Sequence, residues 1–292
     1  MELHYENRIV AFIDILGFKE LVRQSELDPE KLKFIYQALN YLKKRETPQK
    51  WGIKLIEIEE DAQKKGVHKF DIEQVTRCTC FSDSIIVSAE YDGININEVV
   101  STFIANIARM GSFLLTKGIL LRGGVTCGKL IHSDDGVVVG QALIDAYQIE
   151  SNSAKYPRIL LSNKLIKELN YPLNTKKNRY PYHQYLCRFE DGCVGFHQMI
   201  SFQVLQNSSV LDDVNLKKKL DAVRKVIIAG LDSTFERSDI YAKYLWLKNA
   251  YNELCILDVE KERLYDLNEN LPEGNIHFSY SNEYPRKKRK KS

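Results

Sequence analysis

The sequence predicts an α/β fold in which helices pack on a single sheet. Three observations support this prediction. Strand-like and helix-like hydrophobic patterns alternate over the first two hundred residues, which is the order expected of layered α/β domains. The 292 residues are 44% hydrophobic and 28% charged, which is an ordinary globular composition with enough apolar side chains for a large core. Glycines and Asp-containing turns separate the segments.

The first elements are a strand over residues 8–16 and helical sequence over 19–45. Asp28-Pro29 interrupts that helical sequence, and because proline is accepted in a first helical turn, we expect a second helix to begin there. Residues 45–71 fit no single element. Two β-rich runs follow, "VTRCTCF" and "SIIVSAEY", and the Ser82-Asp83 dipeptide between them predicts a hairpin.

A helix that covers the sheet is predicted between Asn97 and Lys117, ending at Gly118. Its apolar residues recur at helical spacing, at Val100, Phe103, Ile104, Ile107, Met110 and Leu114. The next elements are a strand in "ILLRGGVTCGKLIHS", a turn at "DDG", a helix after Gly140, a strand at 158–162 and a helix in "NKLIKELN".

The remaining sequence has a different pattern. Residues 184–205 are strand-like, and 212–255 predict two helices with apolar faces. The second of these helices has a stripe of aromatic and leucine side chains that we interpret as a packing face rather than a ligand site: Tyr241, Tyr244, Leu245, Leu247 and Tyr251. We divide the chain into a main domain over 1–205, a helical extension over 206–280 and a disordered tail over 281–292.

The net charge of +3 is distributed unevenly. Residues 286–291, "RKKRKK", contribute six positive charges, and subtracting them leaves −3 for the rest of the chain. A nucleic-acid-binding body is therefore not expected, although the tail itself fits either a solvated segment or a contact with an anionic polymer. The N-terminus lacks a signal-peptide pattern and no apolar run approaches a membrane span, so we expect a cytoplasmic protein without a membrane segment.

Two aspartates stand within apolar strand sequence. Asp14 interrupts "IVAFIDILGF" and Asp83 lies at the predicted hairpin. A carboxylate in such a place is costly unless it is hydrogen-bonded or binds a cation. A second acid, on a hairpin expected beside the first strand, favours a divalent-ion site. The turn after Asp14 leads into a helix, whose first amides are suited to binding a phosphate.

An ordered series of motifs resembles the class III nucleotide cyclases. "FIDILGF" resembles the first metal-binding strand of that family, and "FSD" at 81–83 resembles the hairpin that carries its second metal aspartate. The family's R-x-G-x-x-x-G strand resembles "RGGVTCG", and its nucleotide-positioning helix is similar to the segment from Gly140 to Glu150. The resemblance covers roughly residues 8–165. It implies a ferredoxin-like sheet with packed helices.

The departures from the family pattern concern substrate recognition. Ile144 stands where the family has an Asn that orients the ribose, and Gln148 where it has an Arg that stabilises the transition state. Thr79 and Val137 occupy the positions of the family's purine-reading Lys and its acidic partner. A purine pocket of the usual kind is therefore not expected.

The whole pattern, with the helical "KYLWLKNAYNE" near its end, is most similar to the pyrimidine cyclases of bacterial Pycsar antiphage defence. That resemblance implies a homodimer that makes cyclic UMP from UTP or cyclic CMP from CTP. It implies two divalent ions, manganese or magnesium, and a separate effector that senses the product, either a membrane protein or an NAD-degrading TIR protein.

The resemblance also implies roles for individual residues. Asp14, Asp83 and the Ile15 carbonyl would bind the metal ions. Backbone amides of Leu16, Gly17 and Phe18 would contact the phosphates, with Lys19 or Arg122 adding positive charge unless they have structural roles.

A pyrimidine leaves space beside the base that a large side chain could fill. We consider Tyr36 and Arg77 as candidates for this role, while noting that a Tyr packed on the sheet and an Arg at its edge would serve structure alone. Two other functions remain open. One is a purine cyclase with an unusual pocket, and the other is a non-catalytic regulator that binds nucleotide or nucleic acid.

Overall fold

The computed structural model describes residues 4–43, 76–171, 181–202 and 213–256. The segment 45–71 and the basic tail lie outside the described residues. The chain separates into two compact units. The first comprises 1–115 and 119–210, and the second comprises 116–118 and 211–292.

The first unit contains a sheet and the helices that pack on it. Its strands are β1 (Glu6–Ile15), β2 (Thr76–Phe81), β3 (Ser84–Glu90), β4 (Leu121–His132), β5 (Val138–Val139), β6 (Arg158–Leu161), β7 (Cys187–Arg188) and β8 (Val194–His197). Its α-helices are α1 (Phe18–Ser25), α2 (Pro29–Lys43), α3 (Ile96–Leu115), α4 (Gln141–Asn152) and α5 (Asn163–Glu168), and a 3₁₀ turn spans Pro181–Gln184. The predicted break before Pro29, the hairpin at Ser82-Asp83 and the strand at 158–162 are all confirmed.

The strand order is β2-β3-β1-β4-β6-β8-β7, and β5 pairs with β4 alone. Strands β1 to β4, with helices after β1 and β3, form a β-α-β-β-α-β unit in which β4, β1, β3 and β2 are adjacent and antiparallel. This is the ferredoxin-like arrangement, so the predicted fold is confirmed. Strand β6 extends the sheet by pairing in parallel with β4.

The two faces of the sheet differ in chemistry because side chains alternate along each strand. Ile9, Ala11 and Ile13 of β1 are fully buried in the main core together with residues of α2 and α3. Val10 and Phe12 point to the other face and pack with Ala142 and Ala146 of α4. Asp14 has the same parity as Val10 and Phe12 and therefore lies on the face covered by α4, which we call the α4 face.

Helix α3 is the central helix of the main core, with Val99, Phe103, Ile104 and Ile107 almost fully buried. Its length and apolar composition alone would also suit a membrane span, but 78% of the relevant window is buried inside the protein. The apolar spacing that predicts this helix reflects packing against the sheet.

Helix α4 lies unusually close to β4. A Cβ atom at Gly124 would stand 2.4 Å from the carbonyl oxygen of Ala146 and 2.6 Å from the Cβ of Ile149. Since both atoms belong to α4, only glycine permits this approach. The contact fixes the position of the C-terminal half of α4 over the strand.

The predicted strand-like stretch at 184–205 is wrong in extent. The described residues there contain only the short strands β7 and β8. They are separated by a turn in which Gly192 has a φ of 81°, and a helical turn follows at 200–202. Asp191 accepts a hydrogen bond from the Cys193 amide and so stabilises that turn.

The second unit contains the two predicted helices, α6 (Asp213–Thr234) and α7 (Ser238–Ile256). Leu220, Val223 and Ile227 are buried along one face of α6, as their spacing predicts. A Cβ at Gly230 would stand 2.1 Å from the ring of Tyr244, so this tyrosine packs directly on the α6 backbone. The interpretation of the aromatic stripe as a packing face is confirmed at Tyr244.

Candidate active site

Asp14 and Asp83 meet at one end of the α4 face. Asp14 pairs with Ser84 in the β1–β3 register, and the Ile15 amide donates a 3.1 Å hydrogen bond to the Asp83 carbonyl. The turn places Ser82 in the left-handed region with a φ of 53°. The Asp83 carboxylate lies near enough to help raise the pKa of the Asp14 carboxyl group. Residues separated by most of a βαβ unit thus converge on one point.

The surroundings of Asp14 disfavour its negative charge. Burial is the largest cause and raises the pKa of its carboxyl group, the Arg122 guanidinium opposes this shift, and the nearby Asp83 carboxylate adds to it. The Asp14 side chain is only 16% exposed. A carboxylate held in such a place is stabilised by a cation.

Arg122 links Asp14 to a third acid that sequence reasoning did not assign to the site. Its Nε donates a 3.1 Å hydrogen bond to Asp14 Oδ2, and its Nη2 lies 2.7 Å from Glu150 Oε1. The second contact is an ion pair without hydrogen-bond alignment, since Glu150 Oε1 has no hydrogen-bond partner. The sequence signal was the i, i+4 series of Ala142, Ala146 and Glu150, which places an acid on the buried face of α4.

The turn after β1 forms the N-terminus of α1. Gly17 is the N-cap residue with a φ of 77°, and no side chain caps this end of the helix. The prediction that Leu16 offers its amide to phosphate is wrong, because that amide donates a 2.8 Å hydrogen bond to the Leu120 carbonyl. The amides of Gly17 and Phe18 belong to the first turn, where helix geometry provides no intrahelical acceptor. Lys19 is exposed beside them.

The candidates for base recognition lie in different parts of the structure. Tyr36 is 68% exposed on α2. That helix packs through Ala38 and Leu42 on the face opposite to Asp14, so the structure does not bring Tyr36 to the acids. A side chain exposed on that helix cannot reach across the sheet to the acids of the same chain, so the prediction that Tyr36 contacts the base there is wrong.

Arg77 is held at the sheet by other groups. Its Nε lies 2.9 Å from Asp134 Oδ1, and its Nη1 donates to the His132 carbonyl. Its Nη1 also lies 3.7 Å from Glu6 Oε2. These contacts give Arg77 a role in fixing the turn after β4.

Thr79 lies on the α4 face, in register with Ile86 and through it with Phe12, and Val137 lies in the turn that follows β4. Thr79 Oγ1 donates a long hydrogen bond of 3.4 Å to the carbonyl of Gly136, the residue before Val137. Val137 is 57% exposed. Thr79 offers a hydroxyl and Val137 an apolar side chain, so neither carries a charge.

A buried polar network positions Thr79. Arg8 Nε donates to Ser88 Oγ at 2.9 Å, Ser88 Oγ lies 2.8 Å from His132 Nδ1, and His132 Nε2 lies 3.0 Å from Thr79 Oγ1. A neutral imidazole protonated at Nε2 satisfies all of these contacts. Burial, followed by the positive charges of Arg8 and Arg77, lowers the pKa of His132 to about 4.

This histidine makes folding stability depend on pH. The folded-state pKa of about 4 lies below the ordinary value of 6.5, so below pH 6.5 the unfolded chain binds a proton that the folded chain does not. Stability present above pH 6.5 is therefore lost as the pH falls toward 4, by up to about 1.4 kcal/mol per pH unit for this group. We expect urea midpoints between pH 7.5 and 5 to decline less steeply in H132Q than in the wild type, and identical slopes would contradict this assignment.

The donor set at the acids fits a divalent ion with oxygen ligands. Within the described ranges no three histidine, cysteine or carboxylate side chains form a common ligand group. Asp14 and Asp83 are the two candidate carboxylate ligands, and Ile15 adjoins them because it follows Asp14 and its amide contacts the Asp83 carbonyl. Magnesium and manganese accept such partial sites because water and substrate phosphates complete their coordination.

No protein-family model matches the chain, and no curated protein matches it. A solved structure similar to this chain is described as the catalytic core of a rhodopsin-guanylyl cyclase with converted specificity in complex with ATPαS. The match covers 66% of this chain and 96% of that chain, at 18% identity and a TM-score of 0.38. The fold of the protein is shown by its own strand order and register.

Proposed function

We propose that the protein is a nucleotide cyclase that converts UTP or CTP to 3′,5′-cyclic UMP or cyclic CMP and pyrophosphate. The observation that carries the proposal is the convergence of Asp14 and Asp83 on one face of a ferredoxin-like sheet, next to the uncapped start of α1. The ordered series of cyclase-like motifs along residues 8–165 supports the same reaction.

The reaction joins two ends of one substrate molecule. The ribose 3′-oxygen attacks the α-phosphorus, the bond from that phosphorus to the pyrophosphate oxygen breaks, and the 3′-hydroxyl proton leaves to solvent. Asp14 and Asp83 would hold two divalent ions, and the Ile15 carbonyl would be a further ligand. Bound divalent ions would acidify the 3′-hydroxyl and neutralise the triphosphate.

The start of α1 binds the phosphates in this proposal. The amides of Gly17 and Phe18 and the positive end of the helix favour negative charge there. The exposed ammonium of Lys19 adds a mobile positive charge at the same end. Leu16 serves instead to join β1 to Leu120 and keeps the turn in place.

Side chains at and beside the edge strand β2 favour a pyrimidine base in this proposal. Thr79 presents a hydroxyl that His132 orients, and Val137 presents an apolar surface. Neither offers the paired charges that would read a purine edge. On α4, Ile144 and Gln148 are exposed, but neither side chain is charged. The negative charge of the transition state must therefore be stabilised by other groups.

The active form in this proposal is a homodimer that uses the α4 face. Apolar side chains are exposed on this face at the end of β2 and on α4, namely Phe81, Ile144 and Tyr147. Tyr147 packs edge-on against Phe12 with ring centroids 5.3 Å apart, which continues the apolar surface from helix to sheet. A second copy with the same surface would cover both patches by a two-fold contact.

The product would act as a cytoplasmic second messenger in antiphage defence and would reach a separate effector protein. Neither a bound nucleic acid nor a membrane is part of this proposal.

Product identification tests the proposed function. We expect purified protein incubated with manganese and each of ATP, GTP, UTP and CTP to release pyrophosphate and to form a cyclic product from a pyrimidine nucleotide, identified by mass. A cyclic purine product would replace the proposal with a purine cyclase. Nucleotide binding without pyrophosphate release would indicate a non-catalytic regulator.

A further inference from the structure

The ion pairs of Arg122 connect the proposed metal site to a buried carboxylate on another element. Arg122 stands directly opposite Asp14 in the β1–β4 register, so the two side chains are neighbours on the same face. Its guanidinium contacts Asp14 through Nε and Glu150 through Nη2. One cation thus bridges a strand carboxylate and a helix carboxylate.

Glu150 is only 3% exposed, which is unusual for a glutamate. Burial is the largest cause that raises the pKa of its carboxyl group, Arg122 opposes the shift, and the charges of Asp14 and Asp83 add to it. The close approach of α4 at Gly124 places this side chain beside Arg122. A buried carboxylate of this kind needs its guanidinium partner to remain in place.

The charges of the cluster are not balanced. Asp14, Asp83 and Glu150 contribute three negative charges and Arg122 one positive charge, which leaves a formal −2 when all are ionised. A cation that binds Asp14 must compete with the Arg122 Nε for the same carboxylate. Glu150 offers the guanidinium a second partner that the cation does not use.

We propose that Arg122 and Glu150 form a counter-ion pair that sets the divalent-cation affinity of the site. Arg122 neutralises Asp14 in the cation-free protein, and Glu150 retains the guanidinium when a cation takes over Asp14. Glu150 is a positioning residue, because it acts through Arg122 and not by binding the cation itself. This inference rests on the proposed function, since it takes Asp14 and Asp83 as the cation ligands.

The pair makes a specific prediction for single substitutions. R122Q removes the competitor for Asp14, and we expect Mn²⁺ to bind roughly fivefold to tenfold more tightly. E150Q removes one of the two carboxylates that Arg122 contacts and leaves Asp14 as the other. Because Arg122 then competes more strongly for Asp14, Mn²⁺ should bind more weakly by a similar factor. Binding is measured by titration calorimetry of the full chain with Mn²⁺ and no nucleotide.

A double-mutant cycle separates positioning from plain electrostatics. If Glu150 acts through Arg122, the effect of E150Q should disappear in the R122Q background. An E150Q effect of equal size in both backgrounds, or no effect in either, would overturn the inference. Thermal unfolding of each variant without metal verifies that it is folded, and the R122Q/E150Q double variant avoids leaving one buried charge unpaired.

Two further variants distinguish failure of this inference from failure of the proposed function. D14N should remove most Mn²⁺ binding if Asp14 is a ligand, and unchanged binding in D14N would refute the site itself. E90Q removes an acid from the exposed far end of β3 and should leave Mn²⁺ affinity unchanged. Loss of binding in D14N together with additive effects of R122Q and E150Q would leave the site intact and reject the counter-ion pair.

Discussion

Replacement of Asp14 by asparagine should reduce cyclic nucleotide formation by about a thousandfold or more while leaving the protein as stable as the wild type. The loss follows because the proposed cation ligand and its charge disappear together. Stability should be retained or slightly increased, since burial and Asp83 already disfavour the Asp14 charge in the folded state. The measurements are turnover of UTP and CTP with manganese and the thermal unfolding midpoint.

Turnover and the thermal unfolding midpoint together distinguish a cation ligand from a structural residue. If Asp14 were a purely structural residue, its neutralisation would lower the stability of the protein. If Asp14 binds the cation, the same change lowers activity and leaves stability unchanged. D239N changes an exposed aspartate in the first turn of α7, where it should leave turnover unchanged and lower stability by no more than about 1 kcal/mol through the lost charge at the helix N-terminus. Near-normal turnover in D14N would remove Asp14 from the reaction, and the proposed cyclase activity would lose its central residue.

Replacement of Gly124 by alanine should destabilise the protein by roughly 2–4 kcal/mol, because overpacking here forces the backbone of α4 away from β4. The added methyl group would lie 2.4 Å from the Ala146 carbonyl oxygen and 2.6 Å from the Ile149 Cβ, which are steric clashes. Since Glu150 follows Ile149 directly, we also expect the Arg122–Glu150 ion pair to be disturbed. Urea unfolding measured at neutral pH gives the stability difference.

The matched control for this substitution is G93A. A Cβ at Gly93 would meet no atom within 4 Å, so an alanine there should change stability by no more than about 0.5 kcal/mol. If G124A were as stable as G93A, the close contact between α4 and β4 would not exist in solution. The placement of Glu150 at the site would then lose its structural basis.

The sequence was sufficient to predict the strand and helix order because hydrophobic period, turn chemistry and proline position agree through most of the first unit. It also predicted that Asp14 and Asp83 lie near each other, since the hairpin that carries Asp83 was expected beside the strand of Asp14, and β3 does pair with β1 at that end. The hairpin register that brings them together follows from the short turn at Ser82 and Asp83.

Other features depend on contacts that no local pattern contains. The Leu16 amide donates a hydrogen bond to the Leu120 carbonyl because the pairing of β1 with β4 continues one residue beyond the strands. Glu150 enters the cluster only because Gly124 admits α4 at close range. Tyr36 is excluded because helix phase places it on the solvent side of α2, and the sequence alone does not fix which sheet face that helix covers.

The position of Arg122 opposite Asp14 also bears on how the protein behaves during handling. Arg122 offsets one of the acidic charges without a bound ion, so Asp14 keeps an ion-pair partner when no metal occupies the site. Chelators used in purification should accordingly strip the site without unfolding the chain. In this respect the protein differs from small zinc domains, whose folding requires the ion.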